Sequence, residues 1–134
     1  MTHILVVDDD EEVCLLLTAI LSNHGYDVAS AMDGREAFRR LMQESFDLVI
    51  TDIFMPEMDG FRLIHSLREQ AVQVLAISAG FHEFTAGVTL RMAGALGAVT
   101  LGKPIRANQL LEQVETMLRL PETVAHRRKM AWGV

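Results

Sequence analysis

The sequence predicts an α/β fold, a doubly wound (βα)5 arrangement with a five-stranded parallel sheet. Three observations carry that prediction. Short apolar runs recur along the chain at Ile4–Val7, Leu48–Ile50, Val72–Ile77 and Ala98–Leu101. None needs polar alternation, as expected of strands covered by helices on both faces. Between them lie stretches with apolar residues at helical spacing, bounded by capping acids and glycines. Strand and helix then alternate from one end to the other, which implies parallel strands joined by helical crossovers. No low-complexity linker or internal sequence repeat divides the 134 residues, a length suited to one domain.

Each element has its own warrant. Ile4–Val7 is the first strand, and it runs into Asp8-Asp9-Asp10-Glu11-Glu12. Asp8 to Asp10 offer capping side chains, and acids suit the first turn of a helix. Val13, Leu17, Ile20, Leu21 and His24 follow at helical spacing, and Gly25 suits the left-handed C′ position. Val28–Met32 reads as a second strand. Asp33 is the N-cap of the second helix, with Glu36 three residues on as in a capping box; Ala37, Phe38, Leu41 and Met42 form its inward stripe. The third strand ends at Asp52, and Pro56 with Asp59-Gly60 resets the chain for a helix over Gly60–Glu69 that buries Phe61, Ile64 and Leu67 or their neighbours. Val72–Ile77 is strand four, ending at Ser78-Ala79-Gly80. A fourth helix is expected over about Glu83–Ala95, against the cost of Gly87 and Gly94. Ala98–Leu101 is strand five, closed by Gly102-Lys103-Pro104. The last helix covers about Ala107–Leu118, with Leu110, Leu111, Val114, Met117 and Leu118 inward and Glu112, Gln113 and Glu115 outward.

Composition narrows the function. Apolar residues are 50% of the chain and charged residues 22%, with a net charge of −6 and a local excess of acid over Asp8–Glu12. That argues against a nucleic-acid footprint, which needs a basic stripe. Cys14 is the single cysteine, so there is neither an intrachain disulfide nor a cysteine zinc site; flanked by Val13, Leu15 and Leu16, it reads as a core or core-edge residue. No secretory signal is visible, and no segment has the ~20 apolar residues needed to cross a bilayer. No membrane role and a cytoplasmic location are expected.

The chemistry gathers at the strand ends. An acid at the C-terminal tip of a buried parallel strand sits where open α/β sheets place their ligand crevices, so Asp52 is the residue to explain first. If the first and third strands are neighbours, Asp8, Asp9 and Asp52 converge. Three carboxylates that close raise one another's pKa values, and a hard divalent cation such as Mg²⁺ relieves the repulsion. Strand four adds Ser78 and strand five adds Lys103. A metal site, a carboxylate, a hydroxyl and an ammonium are the parts for moving a phosphoryl group, with Asp52 as nucleophile. Taken singly, Ser78 and Lys103 are ordinary strand-end residues; their joint placement with the acids is what points to function. Asp10 and Glu11 read as capping and solvated charge, Asp59 as a turn or N-cap residue, and Met55 and Met58 as packing. His3, His24, His65, His82 and His126 show no ligand spacing and read as structural or surface residues.

Four blocks of this sequence together carry a family resemblance: Ile4-Leu5-Val6-Val7-Asp8-Asp9-Asp10, Asp52 through Met55-Pro56-Glu57-Met58-Asp59-Gly60, Ser78-Ala79, and Lys103-Pro104. Over roughly Thr2 to Leu118 the chain resembles a response-regulator receiver domain of the CheY-like, stand-alone kind. The resemblance implies the flavodoxin-like strand order 2-1-3-4-5 and a role in two-component signalling. By it, Asp52 accepts phosphate from a sensor histidine kinase or a histidine phosphotransfer protein. Asp9 and Asp52 ligate Mg²⁺ directly with the backbone carbonyl of Phe54, and Asp8 acts largely through water. Ser78 and Lys103 hold the phosphoryl oxygens, and the Lys103-Pro104 bond is cis, an isomer practically confined to X-Pro. Such a domain is not an enzyme with an external substrate; it catalyses only its own phosphorylation and dephosphorylation. Residues 1–120 are then the receiver, and 121–134 a tail too short for a DNA-binding output domain. Pro121-Glu122 could begin one more helix, and His126-Arg127-Arg128-Lys129 is a small basic cluster, read as a solvated tail or surface helix ahead of a docking motif. Output is expected by binding an unidentified downstream protein through the fourth helix, strand five and fifth helix, a face also available for homodimerisation.

Three departures from the family stand out. Thr100 occupies the position, three residues before Lys103, where the family usually carries Tyr or Phe. The segment from Ser78 to Lys103 is longer than usual, with the added length in Gly80–Gly87, a candidate binding loop. Phe54, two residues past Asp52, puts a ring where a smaller or polar side chain is common, so slow loss of phosphate is expected. Two other readings compete. A constitutive binding scaffold is disfavoured by the presence of all five site residues and kept open by Thr100. A metal-dependent phosphatase with an aspartyl nucleophile needs a second acid where this chain has Phe54.

Overall fold

Each apolar run of the sequence forms a strand in the computed structural model. These are β1 (His3–Val7), β2 (Asp27–Ala31), β3 (Leu48–Asp52) and β4 (Gln73–Ser78), then a short pair β5 (Gly80–Phe81) and β6 (Phe84–Thr85), and β7 (Val99–Gly102). Four helices accompany them among the described residues: α1 (Glu11–Ser22), α2 (Gly34–Gln43), α3 (Gly60–Leu67) and α4 (Ala107–Leu118). The structure describes residues 1–53, 60–67, 72–78, 80–81, 84–85, 91 and 99–119.

The main sheet is parallel throughout, in the order β2-β1-β3-β4-β7. With β7 as the fifth strand of this sheet, that is the expected order 2-1-3-4-5. The order reverses between β1 and β3, the switch point at which such sheets open a crevice beyond their carboxyl ends.

Successive residues of each strand point to opposite faces, and both faces are buried. Leu5, Val7, Val49 and Ala76 pack with Ala37 of α2 and with Leu63, Ile64 and Leu67 of α3. Ile4, Val6, Leu48, Ile50, Leu75 and Ile77 face the other way, against Cys14, Leu17 and Leu21 of α1 and Leu110, Val114 and Met117 of α4. Burying each such Leu, Ile or Val contributes about 1.5–3 kcal/mol. The central strands β1, β3 and β4 lack polar alternation because both of their faces are covered.

Caps set the helix ends. The Asp10 carboxylate accepts from the N–H groups of Glu12 (3.0 Å) and Val13 (3.4 Å) at the start of α1. The Asp33 carboxylate accepts from Glu36 N–H at 2.8 Å, while the Glu36 carboxylate accepts from Met32 N–H at 3.0 Å. The reciprocal pair is therefore present, but its return bond reaches one residue beyond the N-cap. Gly25 takes a left-handed φ of 87°, as expected, although the C-cap is Asn23 and so Gly25 lies one residue past C′.

The structure corrects several sequence expectations. β2 starts at Asp27 rather than Val28, because Asp27 N–H donates to the Thr2 carbonyl at 2.9 Å and joins the ladder. β4 spans Gln73–Ser78, one residue later than expected, and β7 runs on to Gly102. In α2, Ala37 is buried and Leu41 packs on the core, but Phe38 (37% exposed) and Met42 (75%) turn outward. At 100° per residue, each lies one step past the inward stripe. The segment expected to open the fourth helix is extended at Phe84–Thr85, which pairs antiparallel with Gly80–Phe81. Phe and Thr both favour strands. Arg91 is helical, and the rest of that expected helix, like the 121–134 tail, lies outside the described residues. Among the described residues no helix is long and apolar enough to cross a membrane.

Candidate functional site

The carboxyl ends of β1, β3, β4 and β7 meet at one edge. Asp8 follows β1 and keeps to the ladder, its N–H donating to the Ala31 carbonyl at 3.1 Å. Its side chain is fully buried, and one carboxylate oxygen accepts from the Asp10 N–H at 2.9 Å. Asp52 closes β3 and is nearly buried; the Thr51 hydroxyl donates to its carbonyl at 2.8 Å. Ser78 closes β4, buried, and its carbonyl accepts from the Lys103 N–H at 3.0 Å. That backbone bond ties the residue after β7 to the end of β4.

Lys103 then reaches across the edge. Its Nζ lies 2.8 Å from Asp52 Oδ2 and 3.1 Å from Asp8 Oδ2, charge-assisted bonds of the stronger kind. Asp9 is exposed, yet it can present a carboxylate oxygen within 4.8 Å of those of Asp8 and Asp52. Five sequence-picked residues thus share one crevice edge. Phe54, whose carbonyl was expected to complete the metal set, lies outside the described residues, as do Met55, Met58 and Asp59.

The electrostatics follow from burial and charge. Burial raises the Asp8 carboxyl above the usual carboxylate range and the Asp52 charge adds to it, against the opposing pull of the Asp10 amide and Lys103. For Lys103, burial is the largest single influence and lowers the ammonium. The hydrogen bonds and charges of Asp52 and Asp8 together outweigh it, so the net direction is upward. Among the described residues, the Lys103 ammonium bonds Asp8 and Asp52 while Asp9 adds a third carboxylate to the cluster, so acid exceeds base there. The donors of the cluster are hard oxygens, the set that suits Mg²⁺, so the residues present fit a divalent cation.

Cys14 is a contributor that the sequence did not reveal. Its thiol donates to the Asp8 carbonyl at 3.2 Å, and burial, then the Asp8 charge, push it up to about 11. It stays protonated and supports the strand end. Nothing in the order Val13-Cys14-Leu15 distinguishes that role from plain core packing. Thr51 was likewise passed over as a strand residue. Asp10 caps α1, as its position suggested. Thr100 is half-buried in β7 opposite Ala76, and the Lys103-Pro104 bond is cis. His3 lies at the opposite edge of the sheet, its ring 4.2 Å from that of Phe46 and its Nδ1 3.0 Å from the Ser45 carbonyl. That fits a structural role. His24 and His65 are exposed.

Residues 4–115 match the response regulator receiver domain. The chain belongs to this family. Receiver domains are signalling domains of two-component systems and interact with histidine kinases. The chain is 35% identical over 129 residues to the alkaline phosphatase synthesis transcriptional regulatory protein PhoP of Bacillus subtilis, covering 95% of this chain and 52% of that protein. It is 38% identical over 124 residues to the transcriptional regulatory protein ZraR of Escherichia coli, covering 88% of this chain and 27% of the relative. The chain therefore spans about half of one of these curated relatives and about a quarter of the other. Among solved structures it resembles the chemotaxis protein CheY4 of Vibrio cholerae, with TM-score 0.77, 30% identity, and 87% and 98% of the two chains covered. It also resembles the response regulator TrrA of Thermotoga maritima, solved in complex with Mg²⁺-BeF, with TM-score 0.76, 27% identity, and 87% and 99% covered.

Proposed function

We propose that this receiver accepts a phosphoryl group on Asp52 from the phosphohistidine of a histidine kinase or phosphotransfer protein and passes the signal by changing a protein-binding surface. The observation that carries this reading is the Lys103 ammonium held between Asp52 and Asp8 at the sheet's switch point. An Asp52 oxygen forms a bond to phosphorus as the phosphorus–nitrogen bond breaks, and that electron pair returns to the imidazole. Lys103 supplies positive charge where the phosphoryl oxygens gather, and Ser78, fixed at the end of β4, supplies a hydroxyl donor. Asp8, Asp9 and Asp52, with the Phe54 carbonyl, are the residues that would hold Mg²⁺. When bound, the ion neutralises charge on the phosphoryl oxygens and on the acid cluster.

Residues 1–120 form the phosphoacceptor unit in this reading, with 121–134 as an appended segment. Thr100 cannot swing a ring inward, so the change reaches the partner surface through a smaller movement of β7 and its neighbours. A phosphatase is disfavoured by the sequence itself: Phe54 cannot move a proton where that chemistry needs an acid. The test is chemical trapping. Borohydride reduces an aspartyl phosphate to homoserine, so peptide mapping after phosphorylation should find homoserine at position 52. Homoserine at another aspartate, or none after a demonstrated gain of phosphate, would reject Asp52.

A further inference from the structure

Apart from Met1 and Met32, the large apolar side chains exposed among the described residues fall in two pairs, Leu15 and Leu16 on α1 and Phe38 and Met42 on α2. Each pair belongs to a stripe of the same design. On α1 the exposed residues Glu12, Leu15, Leu16 and Ala19 stand at i, i+3, i+4 and i+7, opposite the buried Cys14, Leu17 and Leu21. On α2 the exposed residues Arg35, Phe38, Arg39 and Met42 repeat that spacing, turned away from the buried Ala37. At 100° per residue each set forms one stripe about 100° wide.

The charges of the two stripes are opposite. α1 opens with Glu11 and Glu12, follows the exposed Asp9 and Asp10, and contains no basic residue. α2 carries three arginines against one acid, Glu36, in a chain of net charge −6. Arg40 is paired with Glu44 at 3.4 Å, and Arg35 also interacts within its own chain, so the positive charge of the stripe rests chiefly on Arg39. The two stripes cannot meet in one molecule, because α1 covers one side of the sheet and α2 the other. A second copy brings them together. Laid parallel, they match level by level: Arg35 beside Glu12, Phe38 over Leu15 and Leu16, and the long Met42 over the small Ala19. Side chains on a helix lean toward its N-terminus, so Arg39 reaches back to the acids while its stem covers Leu16.

We propose that copies of this chain associate through the basic, apolar face of α2 on one and the acidic, apolar face of α1 on the next. The contact is heterologous: each copy keeps an unused α1 face on one side and an unused α2 face on the other, so association adds copies in series. It uses neither β7 nor α4, the elements of the homodimer expected from the family resemblance. Asp10, the N-cap of α1, holds Asp8 through its N–H, so the contact borders the acidic crevice of the copy that supplies α1.

Sedimentation of the full chain tests this and does not depend on whether Asp52 accepts phosphate. The average mass of the unsubstituted protein should rise with concentration up to about 1 mM, the weak end of specific affinities. It should fall on adding salt, which screens exposed charge. Leu15→Gln with Leu16→Gln removes the apolar contact of the α1 face, and Phe38→Gln with Met42→Gln that of the α2 face, with a good helix former at each position. Each variant alone should stay monomeric with unchanged far-ultraviolet circular dichroism. Their equal mixture should form a dimer, because each supplies the face that the other lacks. Glu12→Arg and Arg39→Glu ask the same question without touching an apolar side chain: each alone should weaken association, and their mixture should restore it. An unsubstituted chain that stays monomeric throughout overturns the proposal. So does either glutamine variant associating alone, which places the contact on another surface or between like faces, or a mixture that stays monomeric.

Discussion

Asp8 is the residue on which the pocket's energetics turn. Its folded carboxyl sits above the ordinary 3.8, chiefly because it is buried. The folded state therefore binds more protons than the unfolded state between those two values. The contribution to stability is fully present below 3.8 and is lost as pH rises through the folded value, so at neutral pH a charged Asp8 weighs against folding. Asp8→Asn should accordingly raise the urea midpoint of the metal-free protein at pH 7, since the amide oxygen can still accept from Asp10. The same substitution should reduce the stabilisation by Mg²⁺, because a hard carboxylate is gone. Urea titrations with and without Mg²⁺ measure both, and a lower metal-free midpoint would count against the assignment. Cys14 gives a second check. With its thiol raised to about 11, alkylation at pH 8 should be slow in the folded protein and fast in urea, as read by mass. The candidate site was legible at this scale because strand tips are punctuated by acids, a serine and a lysine that apolar strands do not otherwise contain. Cys14 and Thr51 were not, because their bonds go to backbone carbonyls that no side-chain pattern announces.

At the scale of elements, single capping residues were the most readable feature. Asp33 sits before a helix with Glu36 three residues on, and the structure shows both carboxylates on backbone N–H groups. Asp33→Ala should cost about 1 kcal/mol of stability, measured by urea unfolding; a loss of only a few tenths would mean that Glu36 alone holds that end. The inward stripe of α2 was less readable. Phe38 and Met42 are apolar and adjacent to the true stripe, and composition cannot say which neighbour a helix turns to water. The β5–β6 pair was missed for a related reason. A short run with Phe, Thr and flanking glycines suits a loop, a helix start or a hairpin, and local preference does not choose among them.

At the scale of the whole molecule, alternation gave the parallel class but not the order of strands. Periodicity says that a strand is buried and nothing about its neighbours; the order came with the motif resemblance. What makes the site is that order. Placing β1 beside β3 brings Asp8 and Asp52 under one lysine, although 43 residues lie between the two acids in sequence. The central claim is that this arrangement makes Asp52 a phosphoacceptor. Its most direct test is to incubate the protein with Mg²⁺ and acetyl phosphate and weigh it intact by mass spectrometry, beside Asp52→Asn. The account predicts a gain of one phosphoryl mass in the unsubstituted chain, dependent on Mg²⁺, absent in Asp52→Asn, and slow to decay with Phe54 in place. A gain that persists in Asp52→Asn would contradict it.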